Sequence, residues 1–96
     1  MSWTFLSNHA HVLVCLARDP EQRVRDLAVA VGLTERAVVR ILGELAADGY
    51  VEITREGRRN RYRILGGRGL RHPVEAGVSV EALLALITDH DGSSMV

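Results

Sequence analysis

Lysine is absent from the sequence, so arginine supplies all twelve of its positive charges. Cys15 is the single cysteine, which excludes a disulfide within the chain. No apolar run approaches the length of a membrane span, and the chain does not open with a signal-peptide pattern. No Ser/His/Asp set, phosphate-binding loop or carboxylate pair suited to acid–base chemistry is recognisable. We therefore expect a cytoplasmic protein that is not an enzyme and holds no cofactor.

The arginines are concentrated in one segment, although the twelve positive and twelve negative charges of the whole chain cancel. Residues 1–54 hold five arginines and seven acids. Residues 55–72 hold seven arginines and one acid, and residues 73–96 hold four acids and no arginine. A localised basic patch, rather than net charge, is typical of proteins that bind nucleic acid. The distribution therefore points to a polyanion contact in the segment 55–72.

Residues 26–48 have the pattern of two helices joined by a short turn that contains glycine. Apolar residues recur at helical spacing in the first part. Gly32 follows, and glycine readily adopts the left-handed conformation in which many helices end. Thr34 is placed to cap the second helix, which has one apolar face and ends at Asp48-Gly49. This helix-turn-helix pattern can present its second helix to a major groove.

The residues directly after the second helix predict a β-hairpin, which in this position is a wing. Apolar and polar residues alternate on both sides of the turn signal Glu56-Gly57. Val51 and Ile53 are expected to share one face of the first strand, and Tyr62 and Ile64 are expected to point inward from the second. We predict a winged helix-turn-helix fold that is mainly α with a small β-hairpin (α+β). Its order would be three helices, the wing and a C-terminal helix.

The stretch LTERAVVRILGELAADGYVEITREGRRNRYRI, residues 33–64, resembles the recognition helix and wing of MarR/ArsR-type winged-helix transcriptional regulators. The likeness covers roughly residues 8–65 and is most specific from Asp48 to Arg63. It implies a DNA-binding regulator of transcription, with a short third strand beside the wing at Arg23-Val24. Such a regulator would read a pseudo-palindromic operator, with helix 34–48 in the major groove and wing 50–65 on the minor groove and backbone.

The outer face of the second helix supplies the first group of candidate contacts. Arg36 and Arg40, one turn apart, could reach guanine or phosphate, and Val39 could touch a thymine methyl group. Free N–H groups near Thr34 could hold a phosphate. Gly43 suggests the close approach of another backbone, either the first helix or DNA. The alternative is an ordinary solvated helix face.

The wing supplies the second group of candidate contacts. Arg58 and Arg59 at its tip suit a narrow, A·T-rich minor groove, and the other wing arginines suit flanking phosphates. The alternative is a solvated hairpin whose charge keeps the protein soluble. The full set of predicted DNA-binding residues is Thr34, Glu35, Arg36, Val39, Arg40, Arg55, Arg58, Arg59, Arg61 and Arg63.

The first and last helices are apolar on more than one face. Such helices are either buried on several sides within the subunit or shared between subunits. We expect an obligate homodimer with two-fold symmetry. The predicted interface residues are Val12, Val14 and Leu16 in the first helix and Leu83, Leu84, Leu86 and Ile87 in the last.

The remaining segments complete the predicted organisation. Ser79 is placed to cap the last helix. Gly66-Gly67-Arg68-Gly69 predicts a flexible break after the wing, and residues 70–77 predict an ordered crossing loop. We assign residues 1–90 to one winged helix-turn-helix domain with terminal dimerisation helices, and residues 91–96 to a flexible tail.

Two other functions compete with DNA-binding regulation. In the first, the winged helix is a protein-interaction module whose wing docks an acidic partner. The second is metal-gated regulation, suggested by His11 and Cys15 one helical turn apart and by Asp89-His90-Asp91. A structural zinc site needs four ligands, and the Cys-x-Cys arrangement of ArsR-type sensors is missing, so we assign no metal site. His9 and His11 are more typical of capping or of an interface, and Cys15 of a core.

Overall fold

The computed structural model describes the backbone of residues 3–93 and the side chains of residues 3–89. The order of elements confirms the predicted mainly helical winged helix-turn-helix fold. Its helices are α1 (Asn8–Arg18), α2 (Val24–Val31), α3 (Glu35–Ala47) and α4 (Val80–Ser93). The wing is formed by β1 (Val51–Glu56) and β2 (Arg59–Ile64), and a short 3-10 turn spans Pro73–Glu75. None of the helices within residues 3–93 combines the length and apolar character that a membrane crossing requires.

Local hydrogen bonds explain where the helices begin and end. The Thr34 hydroxyl accepts the Ala37 N–H at 3.1 Å at the start of α3. The Ser79 hydroxyl accepts the Ala82 N–H at 3.0 Å at the start of α4. Each of these caps pairs an N–H group that the first helical turn leaves unpaired. Gly32 ends α2 with φ at +80°, the left-handed conformation that glycine adopts without strain.

The helix α1 lies at the centre of the domain, where it packs against α2, α3, α4 and β2. Val12, Val14 and Leu16, predicted as interface residues, are buried in the core of their own subunit, and Leu16 is only 1% exposed. The prediction of a subunit interface through these residues is therefore wrong. The helix is apolar on several faces because its own chain covers it on several sides. The residues that join it in the core include Leu27, Val38, Ile41, Leu42, Leu45, Tyr50, Val51, Tyr62, Val80 and Leu84.

The hairpin is buried only at its base. Val51 pairs with Ile64 and Ile53 with Tyr62, and Val51 and Tyr62 are buried. Ile53 lies on the predicted face, with Val51 and opposite Tyr62, but it is 40% exposed. The alternation of a strand predicts on which face a residue lies, but not whether that face is covered. The hairpin extends beyond the helices, so the outer part of this face stays exposed. The exposed part of the hairpin is therefore free to contact another molecule.

The third strand predicted at Arg23-Val24 does not form, because Val24 begins α2. The Asp26 carboxylate accepts the Arg23 N–H at 3.4 Å, which closes the first turn of this helix. Within residues 3–93 the sheet has two strands. The loop between α1 and α2 supports the wing instead, since the Pro20 carbonyl accepts the Tyr62 N–H at 3.0 Å.

The segment Gly66-Gly67-Arg68-Gly69 has definite contacts, so the predicted flexible break is wrong. The Tyr50 hydroxyl donates to the Gly69 carbonyl at 3.0 Å, and the Arg68 guanidinium lies over the Tyr50 ring, 5.3 Å from its centroid. A Cβ atom at Gly69 would lie 2.6 Å from the Ala76 carbonyl oxygen. Glycine is needed at this position because two backbone segments approach each other there.

The last helix, α4, is only partly covered by the rest of the subunit. Leu84 is buried and Ile87 packs against the core, whereas Leu86 is 71% exposed. The helix continues to Ser93, three residues into the segment that was predicted as a flexible tail from residue 91. No proline interrupts it there. Residues 94–96, the rest of that predicted tail, lie outside the described residues.

Candidate nucleic-acid interface

The helix α3 buries one face and leaves the other open. Its buried face consists of Val38, Ile41, Leu42 and Leu45. The predicted contact residues on the opposite side are all exposed, namely Thr34, Glu35, Arg36, Val39 and Arg40. A Cβ atom at Gly43 would meet nothing within 4 Å, so the predicted close approach of the first helix is wrong there. The outer face is therefore an open surface about three turns long.

The two arginines of this face differ in their surroundings. Arg36 has no hydrogen-bond or ion-pair partner among the described residues. Arg40 forms an ion pair with Glu44, one turn further along α3, at 3.3 Å. Arg36 can therefore reach a ligand without breaking a contact, whereas Arg40 must leave an acid of its own helix.

The start of α3 offers backbone donors as well as side chains. The Thr34 hydroxyl satisfies the Ala37 N–H, and the first intrahelical bond runs from the Val38 N–H to the Thr34 carbonyl at 3.1 Å. The Glu35 and Arg36 N–H groups precede that bond and point from the positive end of the helix dipole. The start of α3 can thus accept an anionic group such as a phosphate oxygen.

The five wing arginines are all exposed, and most of them hold one contact within the chain. Arg55 donates to the Gly57 carbonyl at 3.1 Å, and Arg63 lies 3.0 Å from the Glu52 carboxylate. Arg59 donates through Nη2 to the Glu21 carbonyl at 3.0 Å. These exposed contacts are weak enough for a phosphate to replace them.

The arginine at the wing tip, Arg58, is the wing arginine with the fewest contacts to the described part of the chain. Glu56 pairs with Arg59, so the turn consists of Gly57 and Arg58 alone. Gly57 has φ at +64°, as the first residue of a type II′ turn requires. Arg58 has no partner within the described part of the chain. Its guanidinium can therefore extend beyond the wing.

The strand β2 orients three arginines in the same direction. Successive side chains of a strand alternate between faces, so Arg59, Arg61 and Arg63 lie on one face of the hairpin, about 7 Å apart along the strand. The Glu21 carboxylate lies 4.0 Å from Arg61 and neutralises part of this row. The row forms a line of positive charge that leads from the wing tip toward the helices.

One exposed arginine near the helix-turn-helix was missed by the sequence reasoning. Arg25 lies in the first turn of α2 and has no partner within residues 3–89. The first helix of a helix-turn-helix crosses the DNA backbone, so an arginine near its start can reach a phosphate. Its position at the start of the first helix of the motif was the signal that could have identified it.

The residues considered for a metal site were His11, Cys15 and the segment Asp89-His90-Asp91. The side chains described for residues 3–89 contain no group of three or more His, Cys, Asp or Glu able to hold a metal ion. His11 lies 3.3 Å from the Asn8 side-chain oxygen, and Cys15 is half-buried against the core. The side chain of His90 lies outside the described residues.

An exposed recognition-type helix beside an arginine-rich wing defines the class of winged helix-turn-helix DNA-binding proteins. The family model described as the MarR family matches residues 4–61, and the chain belongs to the MarR family. This membership confirms the resemblance found in the sequence, at the level of a winged-helix DNA-binding transcriptional regulator. No curated protein gives a match.

Solved structures of transcriptional regulators are similar to this chain. A predicted DNA-binding transcriptional regulator from E. coli is 20% identical with a TM-score of 0.59, over 83% of this chain and 73% of that chain. The antimony-specific transcriptional repressor AntR is 29% identical with a TM-score of 0.56, over 90% of this chain and 68% of that chain. MepR, a regulator of the Staphylococcus aureus multidrug efflux pump MepA, is 19% identical with a TM-score of 0.55, over 93% and 62% of the two chains.

Proposed function

We propose that the protein is a homodimeric transcriptional regulator that binds a pseudo-palindromic DNA site and acts in the cytoplasm. Each subunit would place α3 in a major groove and its hairpin on the neighbouring minor groove and backbone. The observation that carries this proposal is the exposure of every predicted contact residue of α3 and of the wing. A core helix or an internal hairpin would have covered some of them.

The helix α3 would supply the sequence-specific contacts. Arg36, which has no partner among the side chains of residues 3–89, is suited to a guanine edge or a nearby phosphate. Val39 is exposed beside it and offers an apolar surface to a thymine methyl group. The open space beside Gly43 lets this helix lie deep in the groove. Thr34 and the first N–H groups of α3 would hold a phosphate at the groove edge.

The wing would supply most of the electrostatic affinity. Arg58 at the tip would enter the minor groove, whose narrow A·T-rich stretches attract arginine. Arg59, Arg61 and Arg63 would contact phosphates from one face of β2, and Arg55 from the other. Because these contacts are mainly to the backbone, they would set the position of the protein more than its sequence preference.

The surface that we propose for dimerisation is apolar and uncovered in the single subunit. Trp3 and Phe5 pack edge to face at 4.9 Å, and Phe5 is 92% exposed. Phe5 and Leu83 line one cleft of about 680 Å³, and Leu86 lies exposed on the same helix as Leu83. Large exposed apolar residues in one region mark an interaction surface. A second copy of the chain is the partner that we propose for it.

The exposed apolar residues of α3 favour one alternative function. Val39 and the open flank of Gly43 would also suit a groove of another protein. The wing would then dock an acidic protein surface instead of DNA. A mobility-shift assay on genomic fragments at low salt separates the two functions, because a protein-interaction module would retard no fragment.

Selection of bound DNA from a random duplex pool tests the proposed function. We expect enrichment of inverted half-sites whose centres lie about 10–10.5 base pairs apart, because a two-fold dimer presents its two α3 helices one helical turn apart. Enrichment of single, unpaired half-sites would contradict the dimer. Recovery of no sequence above the input pool, even at low salt, would contradict DNA binding itself.

A further inference from the structure

The Glu44 carboxylate joins the recognition helix α3 to the central helix α1. Its Oε1 lies 2.8 Å from His9 Nε2. Arg40 Nη1 lies 3.3 Å from both oxygens of the same carboxylate. Glu44 therefore has two partners at once, one on its own helix and one on the neighbouring helix.

This carboxylate lies where an acid works against DNA binding. Glu44 is exposed on the flank of α3 that faces α1, one turn beyond Arg40, and it lines the cleft together with His9. A phosphate bound beside Arg40 would repel it. Arg40 gives one nitrogen, Nη1, to both oxygens of Glu44 in the free protein, so this nitrogen must leave Glu44 before it can bind a base or a phosphate. Arg36, one turn before, carries no such restraint among the described residues.

We propose that Glu44 is a positioning residue for DNA binding, which holds Arg40 in the free protein and releases it to DNA. His9 keeps the carboxylate at the α1 side when Arg40 leaves. This proposal rests on the proposed function, since it requires α3 to contact DNA. The hydrogen bond with His9, and then the charge of Arg40, hold the pKa of the Glu44 carboxyl below its usual value. The carboxylate is therefore ionised and able to hold Arg40 at neutral pH.

The competing explanation is simple charge repulsion, in which Glu44 weakens DNA binding without any part played by Arg40. The two explanations differ in whether the effects of Glu44 and Arg40 depend on each other. A double-mutant cycle measures that dependence directly. The cycle uses the full chain and one duplex, with Glu44→Gln, Arg40→Ala and the double variant.

We expect Glu44→Gln to tighten DNA binding by about two-fold per subunit, which is the strength of an exposed ion pair one helical turn apart. In the Arg40→Ala background the same change should have a clearly smaller effect. Glu35→Gln is the matched control, because it removes an exposed acid from the same helix that does not face Arg40. Its effect should be equal in both backgrounds. An equal effect of Glu44→Gln in both backgrounds would overturn the proposal.

His9 gives a second readout that charge repulsion would not change. Within the described part of the chain, His9→Ala leaves Glu44 with Arg40 alone as its partner, so we expect DNA binding about two-fold weaker per subunit. The effect should vanish in the Glu44→Gln background. His11→Ala is the control, since His11 lies on α1 but contacts Asn8. An effect of His9→Ala that persists with Glu44→Gln would contradict the proposal.

The outcomes also separate this proposal from the proposed function. If the wild-type protein binds no duplex, both are wrong. If it binds duplex and the cycle is additive, only the role of Glu44 is wrong. Thermal unfolding of each variant confirms that the changes act on a folded protein, because all three side chains are exposed or half-exposed.

Discussion

Replacing Arg58 and Arg59 together by alanine should weaken binding to duplex DNA by about 10²–10³-fold at physiological salt. Arg58 has no contact to lose within the described residues, and Arg59 uses Nη2 on the Glu21 carbonyl, which leaves the rest of its guanidinium for DNA. The proposed dimer loses four charges, so the slope of log affinity against log salt should fall by about 3–4. Fluorescence anisotropy over a salt series measures both quantities.

Arg71→Ala is the control for charge loss outside the wing, because Arg71 is also an exposed arginine. Arg71 lies 2.8 Å from Asp48, at the end of α3 that faces the cleft with Phe5 and Leu83. The Arg71→Ala variant should keep a slope of log affinity against log salt close to that of the wild-type protein. If the Arg58→Ala/Arg59→Ala variant kept the wild-type affinity and slope, the wing would have no part in DNA binding.

Leu16→Ala should lower the free energy of unfolding by about 2–5 kcal/mol. Leu16 is 1% exposed at the centre of the domain, so truncation leaves a cavity between packed helices. Domains of this size are stable by about 5–15 kcal/mol in total, so the loss is a large share. Urea unfolding measures it. Val29→Ala, at a position 79% exposed on α2, should change the same quantity by less than about 0.5 kcal/mol.

The same prediction distinguishes the core from the subunit interface. Leu86→Asp places a charge on an exposed leucine of α4, where we propose that a second copy packs. Leu86→Asp should dissociate the proposed dimer and so halve the mass measured by sedimentation. Leu16→Ala should lower stability without dissociating the dimer. A Leu16→Ala protein that kept its unfolding free energy and became monomeric would restore the interface through α1 that the structure contradicts.

The parts of the fold that could be predicted from the sequence depend on residues close together in the chain. The caps at Thr34 and Ser79 act over three residues, and the turn at Gly57-Arg58 joins adjacent strands. The exposed face of α3 follows from helical periodicity in one segment. The residues that cause each of these features lie within a few positions of one another in the sequence.

The errors concern contacts between distant parts of the chain. The burial of Leu16 depends on four elements that surround α1, and periodicity shows only that the helix is apolar. The order of the segment after the wing depends on the Tyr50 hydroxyl, which reaches the Gly69 carbonyl. The exposure of Ile53 depends on where the helices end beneath the hairpin.

The same distinction between local and distant causes applies to the candidate site. The positions of its arginines follow from the sequence, but their partners do not. Arg59 contacts the Glu21 carbonyl across 38 residues, and His9 contacts Glu44 across 35. These contacts hold Arg59 and Glu44 in place, so the sequence predicted the surface but not these two restraints.

The central claim is that positive charge on the wing and the open face of α3 together bind duplex DNA. The most direct test is the affinity of the wild-type protein for a duplex measured between 50 and 200 mM salt. If the proposed dimer neutralises about 6–10 phosphates, affinity should fall by about 10³–10⁵ over this range. An affinity that does not change with salt, or no binding at 50 mM, would contradict the claim.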